Sequence, residues 1–132
     1  MGYISTSIAR LSCFMDASRH RQLSRSAVMS SILSRKQWGS RGPKKPFSYL
    51  NKKRVVGIAV HHSGVKNGPK GVSAVKAFER HHMDANGWNA IAYNWLVDEE
   101  GVIYEGRGAG VVSAATRPYN SRTESICYTR RS

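Results

Sequence analysis

The sharpest pattern along the chain is Val55-Val56-Gly57-Ile58-Ala59-Val60, a nearly continuous apolar run with β-branched residues. A short run that does not alternate predicts a buried central strand. It stops at His61-His62-Ser63-Gly64, and Asn67-Gly68-Pro69 signal a turn in the loop that follows. From Ser73 to Ala85 the period becomes helical. Val75, Phe78 and His82 share one face, Ser73 suits the N-cap, and Asn86-Gly87 suits the C-terminal stop. Tyr93 to Glu105 predicts a β-hairpin closed at Asp98-Glu99-Glu100-Gly101, with Gly101 at a positive φ. Ser125 to Thr129 predicts a last strand. Strand, helix, hairpin, strand implies an α/β (α+β) fold, a mixed central β-sheet flanked by helices.

Before residue 55 the pattern is weak. Residues 1–35 are rich in Ser and Arg, and their apolar stripe is poor, so they read as a basic leader, disordered or loosely helical around Ile8 to Leu33. Their composition resembles an organellar transit peptide, without the apolar stretch of a secretory signal. Residues 36–54 are loop-rich, punctuated by Trp38-Gly39, Gly42-Pro43 and Pro46. The expected division is a leader, 1–35, and a folded domain, 36–132. The apolar runs are far shorter than a membrane span, so no transmembrane segment is expected.

Charge sharpens that division. Residues 1–54 hold twelve Lys or Arg against Asp16 alone, a net +11, whereas residues 55–132 hold nine against seven acids, a net +2. Such a basic segment suits nucleic acid, anionic lipid or an anionic cell wall, and equally a solvated arm. Charge does not choose among these. Cys13 and Cys127 lie in different regions and form no CxxC pair, which argues against a disulfide framework or a zinc finger.

Candidate chemistry centres on histidine. His61 sits at the C-terminal end of the predicted strand, a rigid place that faces a crevice, and a neutral imidazole ligates zinc well. Adjacent strand residues point to opposite faces, so His61 and His62 enter one site only if the strand has ended between them. Read by spacing alone, the pair is more readily structural or exposed than functional. His82, on the apolar face of the helix, reads as a packed, hydrogen-bonded histidine. HExxH, CxxC and nucleophile-triad signatures are absent from the sequence.

Longer motifs carry more. Val60-His61-His62-Ser63-Gly64, His82-Met83-Asp84, Gly87-Trp88-Asn89-Ala90-Ile91-Ala92-Tyr93-Asn94-Trp95-Leu96-Val97, Gly101-Val102-Ile103-Tyr104-Glu105-Gly106-Arg107-Gly108, and Asn120 with Ser125-Ile126-Cys127 occur in order. With Trp38-Gly39 ahead of them, they resemble the successive motifs of the N-acetylmuramoyl-L-alanine amidase and peptidoglycan recognition protein family. The wording is most similar to the amidase modules of phage endolysins. The resemblance implies a zinc (Zn2+) enzyme that cleaves the amide between N-acetylmuramic acid and L-alanine in bacterial peptidoglycan. It implies His61 as a metal ligand, Tyr93 as the catalytic tyrosine beside the metal, and Trp88, Arg107 and His62 as substrate-binding positions. Glu105 is expected to pair across the hairpin. The implied partner is bacterial peptidoglycan, and no specific nucleic acid is expected. The site of action would be the cell wall; oligomeric state has no signal.

The chain departs from the family at two points. Ala115 stands where the family carries a groove histidine. The family's remaining zinc ligands follow the Cys127 strand after a further helix, and they have no counterpart before Ser132. The resemblance therefore implies an incomplete zinc site, a fold without its C-terminal part, and an apolar sheet face left bare. A non-catalytic peptidoglycan-binding module is the alternative function.

Overall fold

The computed structural model describes residues 7–9 and 32–130. The expectations for the leader, its helix included, fall largely outside these residues.

One six-stranded sheet organises the fold, in the order β1-β3-β6-β4-β5-β2. The strands are β1 (Ser7–Ala9), β2 (Ile32–Leu33), β3 (Gly57–His62), β4 (Trp95–Val97), β5 (Ile103–Glu105) and β6 (Thr123–Tyr128). β3, β6 and β4 run parallel, β1 and β5 are antiparallel to their neighbours β3 and β4, and β2 is parallel to β5. The mixed sheet expected from the pattern is the one observed. Two strands come from the segment read as a disordered or loosely helical leader: β1 and β2 form the opposite edges of the sheet.

Strand β3 starts two residues later than the apolar run and includes both histidines. It is not buried on both sides. Ala59 and His61 are buried, whereas Val60 is 40% exposed and Val56, ahead of the strand, 54% exposed. Register explains this. His61 pairs with Cys127, Cys127 with Leu96, Leu96 with Tyr104 and Tyr104 with Leu33, so these residues form one row on one face. That face is covered by helix α2 (Gly71–Arg80), whose Val75 and Phe78 pack into the core with Trp38, Ile91, Leu96, Tyr104 and Cys127. The opposite row, Val60, Ile126, Trp95 and Glu105, is only partly covered. Among the described residues, no helix is long and apolar enough to cross a membrane.

Helix α2 begins at Gly71, with Lys70 rather than Ser73 at its N-cap, and runs into a π-helical turn, His81–Ala85, that ends at Asn86 and at Gly87 with φ +69°. The loop-rich approach contains a short helix that the pattern does not announce, α1 (Arg35–Trp38). Ser34 caps it reciprocally with Gln37, and it buries Trp38. The Trp38 indole donates to the Glu105 carbonyl (2.9 Å), tying α1 to β5.

The hairpin is closed as expected. Gly101 has φ +81°, and the buried Asp98 carboxylate accepts from the backbone N–H of Glu100 and Val102 (2.9 Å each) and from the Tyr104 hydroxyl (2.7 Å). The Glu105 side chain does not pair across the hairpin. Its partner is Arg35, whose backbone N–H it accepts at 3.0 Å and whose guanidinium lies 3.6 Å away. The residue opposite on β4 is Trp95, which offers Glu105 no charge.

Candidate functional site

His61 is held inside the sheet, since its backbone pairs with Cys127 across β3 and β6. Its side chain is buried on the α2 side, with Nε2 hydrogen-bonded to Thr116 Oγ1 at 2.9 Å and Nδ1 buried without a partner. Burial and the neighbouring His62 both lower its pKa, which favours the neutral, ligand-competent imidazole. Thr116 is positioned by the loop before β6, where its N–H donates to Asn120 Oδ1 (2.7 Å). Pattern reading had no means of finding Thr116, because it lies far from His61 in sequence and belongs to no motif.

Tyr93 joins His61. Their rings lie 5.6 Å apart, while the Cys127 thiol donates to the Tyr128 carbonyl at 3.4 Å. Burial raises the pKa of both groups, Cys127 to about 12, so the phenol and the thiol are both neutral at ordinary pH. His62 points away on the other face, and its Nδ1 accepts the Gly64 N–H at 3.1 Å. The strand does not end between the two histidines, so alternation separates them.

A second cluster adjoins the first. The His82 ring stacks on Trp88 with centroids 5.1 Å apart and planes 26° apart, and it meets Tyr93 at 5.8 Å. Trp88 is 37% exposed, the open end of a row of rings that runs through His82 and Tyr93 to His61. The Trp88 segment is also held from outside. Lys44 N–H donates to the Asn89 carbonyl (2.9 Å), and Asn89 exchanges two further hydrogen bonds with the Lys45 backbone.

Arg107 is committed to the protein. Its Nε donates to the Ile91 carbonyl (2.8 Å) and its Nη1 to the Val112 carbonyl (3.0 Å), and its guanidinium stacks over Phe47. Burial lowers its pKa. The structure thus brings His61, Tyr93 and Trp88 into one row of rings and ties Arg107 to the backbone beside it, but turns His62 elsewhere.

A catalytic zinc takes three protein ligands and keeps one open position. Among the described residues, no three His, Cys, Asp or Glu side chains come together to hold a metal ion. His61 is a sound single ligand, with an orphaned ring nitrogen, but His62 faces away. The described residues alone do not fit a zinc centre.

No family model matches the chain. Individual relatives do. Over 100 residues the chain is 29% identical to peptidoglycan-recognition protein SC2 of Drosophila melanogaster, covering 74% of this chain and 53% of that protein. It is 36% identical over 100 residues to N-acetylmuramoyl-L-alanine amidase of Sus scrofa, covering 69% of this chain and 16% of that one. The crystal structure of peptidoglycan recognition protein-LE in complex with tracheal cytotoxin, a monomeric diaminopimelic acid-type peptidoglycan, superposes with a TM-score of 0.67 at 31% identity, covering 76% of this chain and 61% of the other. The chain belongs to the peptidoglycan-recognition protein and N-acetylmuramoyl-L-alanine amidase family. As a family member it is short in reach: it spans about half the length of the peptidoglycan-recognition protein SC2 it matches, 53%.

Proposed function

We propose that this chain is a peptidoglycan-binding module whose recognition surface is built around the exposed Trp88. The observation that carries the reading is the row of rings from Trp88 to His61, fixed from both sides, beside a metal position for which the described residues supply a single ligand. A partly exposed indole on a rigid support gives the apolar face of a sugar or stem peptide a flat surface to pack on, at little cost in ordering. The peptidoglycan fragment in the similar solved complex supports the ligand class.

A second reading is favoured by the amidase relatives. In it the chain cleaves the bond between N-acetylmuramic acid and L-alanine, with zinc on His61 and Tyr93 beside it. That reading needs two further ligands from outside the described cluster.

One experiment tests both. Purified peptidoglycan is incubated with the protein with and without added zinc; sedimented protein and new L-alanine amino termini are both measured. The module reading expects retention on the wall, weakened by Trp88→Ala, with no new amino termini. Zinc-dependent release abolished by His61→Ala would replace it with the amidase reading. Absence of retention would end the recognition reading.

A further inference from the structure

We propose that His82 is a positioning residue for the recognition surface: its ring and its main-chain carbonyl together set the angle at which the Trp88 indole meets a glycopeptide. The inference rests on the peptidoglycan-binding reading and adds to it a residue that acts through its contacts with Trp88 and Ala92.

Three contacts converge on His82. The ring stacks under the Trp88 indole at 5.1 Å. The His82 carbonyl accepts the Trp88 backbone N–H at 2.9 Å. Its Nδ1 accepts the Ala92 N–H at 3.2 Å, which fixes the ring about its own axis and assigns the proton to Nε2. Trp88 is therefore tied at backbone and side chain to one residue, and that residue is tied in turn to the segment that carries Tyr93. The π-helical turn contributes. It ends helix α2 with His82 and Met83 both buried and His81 exposed, so the ring is delivered inward at the point where the chain turns toward Trp88. A residue serving only to fill the core would need the ring's volume but not the Nδ1 acceptor; the carbonyl is supplied by any residue at this position.

The two contributions of the ring separate by substitution. His82→Asn keeps an acceptor near the Nδ1 position and loses the stacked ring. His82→Phe keeps the ring and loses the acceptor. The near-ultraviolet circular dichroism of Trp88, taken as the difference from Trp88→Leu, reports the indole's setting. Affinity for a soluble monomeric peptidoglycan fragment reports its use. The expected result is a folded His82→Asn whose Trp88 band is lost and whose affinity falls roughly 2- to 10-fold, the range of one aromatic pair, with part of both restored in His82→Phe. In the Trp88→Leu background, His82→Asn should cost no further affinity.

An unchanged Trp88 band in a folded His82→Asn overturns the proposal, as does an equal loss of affinity in the Trp88→Leu background. Should His82→Asn not fold, His82→Phe carries the comparison, and a Trp88 band and affinity equal to those of Trp88→Leu would overturn it. A wild-type chain that binds no fragment ends the recognition reading, and with it the proposed use of the indole; the dichroism then shows separately whether His82 sets Trp88.

Discussion

At the scale of single residues, Asn94 does the most with one side chain. It is fully buried, its amide donates to the Gly108 and Val111 carbonyls at 2.8 and 2.7 Å, and its oxygen accepts the Ser125 N–H at 2.7 Å. Asn94→Ala leaves three buried backbone groups without partners, so a loss on the order of 3 kcal/mol is expected, read from urea unfolding. Gly106 sits beside it for a steric reason, since a Cβ there would run into the Tyr93 carbonyl. The histidines predict a pH dependence. Burial, with the charges of His81 and Arg107, lowers the pKa of His82 from 6.5 to about 4. Between those values the unfolded chain binds the extra proton, so stability is full above about pH 6.5 and is lost as pH falls toward 4. The loss attributable to His82 is on the order of 3 kcal/mol. Unfolding midpoints measured from pH 7 to about 4 should fall more steeply in the wild type than in His82→Phe.

At the scale of elements, the two faces of the sheet predict opposite responses. Leu96→Ala, in the row beneath α2, opens a cavity in the core and is expected to cost about 2–5 kcal/mol. Val60→Thr, on the half-covered face, is expected to change stability by about 0.5 kcal/mol or less, by the same measurement. Legibility follows the same division. Strand β3, helix α2, the hairpin and β6 were readable because each buries residues at a regular spacing or closes on a glycine. Helix α1 was not, because four residues give no period; its signature is the Ser34–Gln37 box, which lies in a stretch that otherwise looks like a loop. The two-sided burial expected of Val55 to Val60 failed because an apolar run reports residue type, not which neighbour covers it. Motif wording singled out His61, Tyr93 and Trp88, which the fold places in one row of rings. The partners that orient His61 and Trp88, the Thr116 hydroxyl and the ring and carbonyl of His82, are contacts that no local pattern encodes.

At the scale of the whole molecule, charge and topology govern behaviour. The net charge of +13 lies mostly before residue 55, so attraction to an anionic wall polymer should be long-ranged at low salt and screened at high salt. Retention on purified walls is expected to drop several-fold between roughly 50 mM and 500 mM salt. Retention indifferent to salt would assign binding to the Trp88 surface alone.

The order of the strands has a further consequence, for the way the protein is made. The middle of the sheet, β6, is translated after both of the strands it joins, β3 and β4. As the chain emerges from the ribosome, α2 and the hairpin can form from local contacts, but the two halves of the sheet have nothing between them until Thr123–Tyr128 is out. Until then β3 offers its hydrogen-bonding edge and the apolar row of the core to any passing chain. The nascent protein passes through its most vulnerable state between the emergence of β4 and that of β6, and a chaperone that shields open strand edges would meet it there.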